Sequence, residues 1–172
     1  ASANHAIGNA YRLIQNGKAK AMITGGAESA ISPIGLASFC AAKSLSTDND
    51  NPTEASRPFD LNRTGFVMGE GAGIVILEEL EFAKKRGANI LAELIGFGSS
   101  GDAYHLTSPA PEGEGGGRAM QAAIDDAEID KKEINYVNTH GTSTKIGDKH
   151  ETSAIKNLLG SHAYDIPVTS TK

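Results

Sequence analysis

Residues 71–98, "GAGIVILEELEFAKKRGANILAELIGFG", leave few architectures open. "GAGIVILEE" carries a short β-branched apolar run and reads as a buried strand. Residues 78–86 read as a helix stopped by Gly87, and "NILAELIGFG" as a second, longer strand. Strand, helix and strand in so short a span predict alternating layers of an α/β fold. The alternation extends along the chain. Ser2 can cap a helix through about Asn16, with Ala6, Ala10, Leu13 and Ile14 on one face and Gly17 as its stop. "KAMIT" reads as a short buried strand ending at Gly25-Gly26, and Pro33 opens a small-residue, tightly packed helix over 33–42. Residues 45–64 form a polar surface loop, and 101–117 a Gly/Pro-rich one. "RAMQAAIDDA" reads as an amphipathic helix, "EINYVNT" as a strand, 145–159 as a helix and "IPVTST" as a last strand. This order predicts a largely parallel sheet, with a boundary near Gly87–Ile90 between halves 1–89 and 90–172.

Bulk properties exclude several classes. The chain has 172 residues and a net charge of −5, so it lacks the basic face that nucleic acid requires. No apolar run reaches the length of a membrane span. The lone cysteine, Cys40, excludes an internal disulfide framework and suits a reducing compartment. The sequence opens without an initiator methionine or targeting segment and stops where a strand would feed a loop. It therefore reads as an excerpt of a longer protein.

"GFGSSG", 96–101, matches a dinucleotide fingerprint in form, but the following "DAYHLTSPAPEGEGGG" cannot open the required helix. Turn glycines explain it better. His140, Asp148, His150 and Glu151 lack a metal-site pairing, and His150 reads as part of a solvated helix face. No G-x-S-x-G elbow marks a serine hydrolase. Cys40, on a helix of small apolar residues, reads as a buried structural thiol rather than a nucleophile. His140 stands apart: in "NTHGTST" it lies just past a strand end, where α/β sheets bind ligands. Gly141 permits close approach, and Thr142, Ser143 and Thr144 offer hydroxyls. Asp148 and Glu151 sit near a helix start, where the dipole favours carboxylates. Pattern alone leaves a catalytic and a structural His140 equally open, and gives Lys172 no role.

Taken together, "NTHGTST", the following "GD" and "E", "TSTK", "ASANHAIG", "GGAES", "SRPFD", "GFVMGEGAGIVILEELEFAKKRGA" and "GFGSSGDAYHLTSP" resemble the β-ketoacyl-acyl-carrier-protein synthases of type II fatty-acid synthesis. The blocks keep the family's order over the whole chain. The resemblance implies part of a thiolase-like five-layered α-β-α-β-α fold, dimeric in the full protein and cytoplasmic or plastidic. It implies a decarboxylating Claisen condensation of malonyl-acyl-carrier protein with an enzyme-bound acyl thioester. The family's nucleophilic cysteine would immediately precede Ala1, and its second histidine would follow Lys172.

His140 would act at the malonyl thioester and Lys172 would organise the site. Thr142 and Thr144 would bind the phosphopantetheine arm. Asp148 and Glu151 would be supporting carboxylates, with Glu151 near Lys172. Phe39 would lie by the acyl pocket, Thr107 in a loop near the carrier, and Lys43 would face the acidic carrier protein. No cofactor or metal is implied beyond the carrier's phosphopantetheine. Lys145-Ile146 depart from the family's commoner residues and read as loop variation. Competing readings are a polyketide ketosynthase, which often has Gly-Thr where Ser143-Thr144 stand, and a silent chain-length-factor subunit lacking the cysteine.

Overall fold

The computed structural model describes residues 1–172. Helix α1, Ser2–Gln15, ends at Asn16 with Gly17 at φ 68°. Ala1, not Ser2, occupies the cap position, and no side chain caps the helix. Strands β1, Ala21–Glu28, and β2, Gly71–Glu78, pair antiparallel from Ala21↔Glu78 to Glu28↔Gly71. The expected parallel order therefore fails here, because the excursion through 29–70 leaves and returns at the same end of β1. It contains α2, Pro33–Ala41, capped by Ser32, whose hydroxyl accepts from the Gly35 N–H at 3.1 Å. Neither α2 nor β2 is packed away as their apolar sequences predict: no residue of either is buried. Cys40 on α2 is exposed, not a buried thiol. Helix α3, Leu80–Lys85, begins under the Glu79 carboxylate, which accepts from the Glu81 and Phe82 N–H groups.

Residues 89–98 were expected to form a second, longer strand, yet no ladder partner lies beside them. Over Gly96–Gly98 they keep a strand's period of two all the same. A Cβ on Gly96 or Gly98 would collide with the carbonyl oxygens of Ala123 and Ala119 on α4, Glu114–Ala127, while Phe97 faces the other way and fills the notch over Gly8 of α1. Gly96 and Gly98 of "GFGSSG" thus admit a helix at close range, while Gly101 has open space around it. Tyr11 donates to the Ile95 carbonyl at 3.1 Å, and Asp126 accepts from the Phe97 N–H at 2.8 Å while pairing with Arg12 at 2.6 Å.

The Phe97 N–H, then Arg12, hold the Asp126 carboxyl below the usual carboxylate range. A depressed folded-state pKa gives stability that is present above the unfolded value, about 3.9, and lost as pH falls through the folded one. Asp126→Asn in the full-length protein is therefore expected to lower the unfolding midpoint at pH 7, with the gap closing on acidification below about pH 4. A gap that persists unchanged in acid would refute the ionic origin.

Helix α5, Lys145–Leu159, packs on α4, and Ile124, Ala154, Ile155 and Leu159 of the two helices are buried. Strands β3, Val137–Thr139, and β4, Val168–Ser170, pair parallel with Thr139 opposite Ser170. They are shorter than "EINYVNT" and "IPVTST" suggested, because only three register pairs form. His150 is half-buried, not solvated: its Nδ1 lies 2.9 Å from the Ala110 carbonyl. No helix is long and apolar enough to cross a membrane.

The accessible area is 11450 Å², against about 8,000 Å² for a compact monomer of this mass. Only 17 of 172 residues are buried, and Leu91, Ile34, Ile76 and Ile23 are among many exposed aliphatics. Apolar surface on this scale seeks a cover. The isolated 172-residue chain is expected to self-associate at micromolar concentration. Sedimentation as a monodisperse monomer with one cooperative unfolding transition would contradict this.

Candidate active site

The parallel pair β3–β4 delivers two chain segments to the same sheet edge. His140 follows Thr139 directly, and Lys172 lies two residues beyond Ser170. One hydroxyl joins them: Ser170 Oγ donates toward the His140 and Gly141 carbonyls, at 3.2 and 2.9 Å, and accepts from the Lys172 N–H at 3.1 Å. Gly141, at φ 45°, is obligatory because a Cβ there would collide with the Ser170 side chain.

Two carboxylates hold the loop from the α5 side. Glu151 accepts from the His140 N–H at 2.7 Å and the Gly141 N–H at 2.8 Å. Asp148 is 1% exposed, accepts from the Ser143 N–H at 3.1 Å and the Phe59 N–H at 2.8 Å, and forms an ion pair with Arg63, whose Nε lies 3.1 Å away. Charge-assisted bonds of this kind are about twice as strong as neutral ones. Asp148 is thus not a solvated helix-start charge. Ser143 is fully buried at φ 67°, a costly conformation for a residue with a Cβ, and its hydroxyl accepts from the Arg57 N–H. Thr142 and Thr144 place their hydroxyls 3.0 Å apart.

The His140 backbone is therefore tied at both its N–H and its carbonyl, while its ring is exposed and makes no hydrogen bond. A fixed main chain aims an imidazole that is free to meet a ligand. Such a group, with a proton on the nitrogen that faces the ligand, can donate to a thioester oxygen. The ammonium of Lys172 lies 5.1 Å from the centre of the Phe66 ring, which Phe39 meets edge-on at 5.1 Å. Phe39 and Lys172 thus share one aromatic neighbour. No ion pair joins Glu151 to Lys172: both Glu151 oxygens serve backbone N–H groups.

Lys43, at φ 52°, and Thr107 are exposed and held by their own loops, the first by its N–H to the Cys40 carbonyl and the second by its N–H to His105 Nδ1. Neither bonds to the His140 group. The sequence reading missed Arg57, Phe59 and Arg63, which reach this loop from the polar 45–64 stretch. The block "SRPFD", quoted as part of the resemblance, holds Arg57 and Phe59 but not Arg63. A groove of about 640 Å³ lined by Leu36, Leu45, Phe66 and Met68 opens near that stretch.

Residues 1–83 match the beta-ketoacyl synthase N-terminal domain, and residues 91–172 its C-terminal domain. The 3-oxoacyl-[acyl-carrier-protein] synthase 2 of Staphylococcus aureus is 56% identical over all 172 residues, which cover 42% of that protein. The protein of the same name from Synechocystis sp. is 55% identical, with 41% of it covered. The chain thus spans about two fifths of the length of these curated relatives. A beta-ketoacyl synthase from Burkholderia phymatum superposes on the whole chain with a TM-score of 0.93 at 45% identity, over 41% of its own length. A type II PKS ketosynthase, solved with its acyl-carrier protein, superposes with a TM-score of 0.97 at 42% identity, again over the whole chain and 42% of its own. The fold is thiolase-like α/β, and the chain belongs to the β-ketoacyl synthase family.

Proposed function

We propose that the full-length protein elongates fatty acids by decarboxylating Claisen condensation on an acyl-carrier protein. The observation that carries this reading is the exposed, unbonded His140 imidazole, fixed by its backbone at the edge where β3 and β4 also deliver Lys172. A cysteine thiolate outside these 172 residues takes the acyl group from its carrier thioester, releasing the carrier thiol. Malonyl-carrier protein then binds, with Thr142 and Thr144 along its phosphopantetheine arm. The carboxyl carbon leaves as carbon dioxide, and the electron pair of the broken C–C bond becomes an enolate. His140 hydrogen-bonds the thioester oxygen where that charge develops. The enolate carbon attacks the acyl carbonyl, the C–S bond breaks, and thiolate and β-ketoacyl-carrier protein result.

Lys172 keeps the site positive, with Asp148 and Glu151 as the supports of the His140 loop. Phe39 borders the acyl chain, while Lys43 and the Thr107 loop face an acidic carrier. The enzyme acts in the cytoplasm as a homodimer, its halves meeting at 89/90, with no metal or redox cofactor. The 56% identity to a protein named 3-oxoacyl-[acyl-carrier-protein] synthase 2 favours the fatty-acid branch over the polyketide one, whose structural relative is 42% identical.

Intact-mass spectrometry of the full-length protein, mixed with a long-chain acyl-carrier protein and then malonyl-carrier protein, tests the reading. An acyl adduct that is discharged as a β-ketoacyl product is expected. No adduct at all would make this chain part of a silent partner subunit.

A further inference from the structure

We propose that Arg63 is a positioning residue for His140, pinning the loop that aims the imidazole and so setting the rate of decarboxylation but not of acyl transfer. The proposal rests on the condensing-enzyme reading above. Arg63 comes from the polar 45–64 stretch, yet its side chain is only 14% exposed. Its Nη1 donates to the Asp60 carbonyl of its own loop at 2.8 Å. Across the gap, Nε donates to the Thr144 carbonyl at 3.1 Å and Nη2 to the Lys145 carbonyl at 2.7 Å, while Asp148 Oδ2 lies 3.1 Å from Nε. One planar fork therefore holds the last residue of "HGTST", the first residue of α5 and the carboxylate that fixes Ser143.

The Thr144 carbonyl already accepts the Asp148 N–H of the helix, so it needs no guanidinium to be satisfied. What the fork adds is a tie between two segments far apart in sequence. The Phe59 and Arg57 N–H groups tie the same two segments, through Asp148 and Ser143. Because the His140 ring has no hydrogen bond of its own, its aim depends wholly on this backbone. A lysine would keep the charge opposite Asp148 but could not span both carbonyls in a fixed geometry.

The test measures the two half-reactions separately in the full-length protein, with Arg63→Ala and Arg63→Lys. Carbon dioxide release from malonyl-carrier protein is expected to fall about a hundredfold in R63A, while acylation of the nucleophile stays within about threefold. Added methylguanidinium is expected to restore about tenfold of the loss, which a merely unfolded variant would not allow. Amide exchange in peptides covering 138–148 is expected to rise about tenfold with α1 unchanged. R63K carries the same test should R63A fail to fold. Equal slowing of both half-reactions, or unchanged exchange in 138–148, overturns the proposal. An unsubstituted protein that releases no carbon dioxide overturns the condensing-enzyme reading instead.

Discussion

In the full-length protein, His140→Ala is expected to leave acylation of the nucleophile within about threefold and to slow malonyl decarboxylation by about a thousandfold. The two half-reactions separate because they use different parts of the site. Acyl transfer requires a thiolate and an oxyanion cradle, neither of which is His140. Decarboxylation builds charge on the malonyl thioester oxygen, where a donor already in place costs no reorganisation. The fold should hardly notice the change. The ring is exposed and unbonded, while Glu151 and Ser170 hold the backbone of residue 140 whatever side chain it bears. Truncating such a side chain moves stability by about 0.5 kcal/mol or less. The acyl adduct should therefore persist in intact-mass spectra after malonyl-carrier protein is added. Equal loss in both steps would mean that the histidine acts elsewhere, and decarboxylation within about threefold of the unsubstituted rate would remove it from the chemistry.

The parts of this fold legible in the sequence are those whose causes are local. Helix α5 begins and ends where its pattern says, at 145 and 159, and Gly17 and Gly87 stop their helices in the left-handed region that glycine tolerates. The antiparallel return of β2 was not legible, since strand direction depends on the path of the 29–70 excursion and not on the apolar run itself. Nor could pattern reveal that 89–98 lacks a laddered neighbour. Its glycines looked like turn residues because a helix packed at close range leaves the same signature as a bend.

At the site, "NTHGTST" identified the loop, and the resemblance supplied the candidate roles. The residues holding that loop escaped notice because they lie 77 or more positions away in the polar stretch, and polarity there suggested solvent. Arg63 and Asp148 instead satisfy each other out of water. Glu151 commits both carboxylate oxygens to the His140 and Gly141 N–H groups, 11 and 10 residues before it, a pairing across the loop that no helical periodicity announces.

Asp148→Ala is expected to cost the full-length protein about 3–5 kcal/mol, the range for breaking a buried ion pair by removing one partner. The loss is compounded. The Arg63 guanidinium, 14% exposed, would keep its carbonyl partners but lose its counter-charge, and the Ser143 and Phe59 N–H groups would lose their only acceptor. Ser143 would also lose the bond that holds it at φ 67°, so the loop has reason to relax away from the left-handed region. Asp148→Asn tests the geometry more sharply, because it nearly preserves volume. One of its two positions becomes an NH₂ that must face a backbone N–H or the guanidinium, whichever way the amide is turned. Asparagine should therefore rescue little of the alanine loss. Urea unfolding of both variants against the unsubstituted protein decides it. A shift under about 1 kcal/mol for Asp148→Asn would mean that the carboxylate's charge does not hold this loop, and the rigidity of the His140 backbone would then have to come from Glu151, Ser170 and the Arg63 bonds to the Thr144 and Lys145 carbonyls.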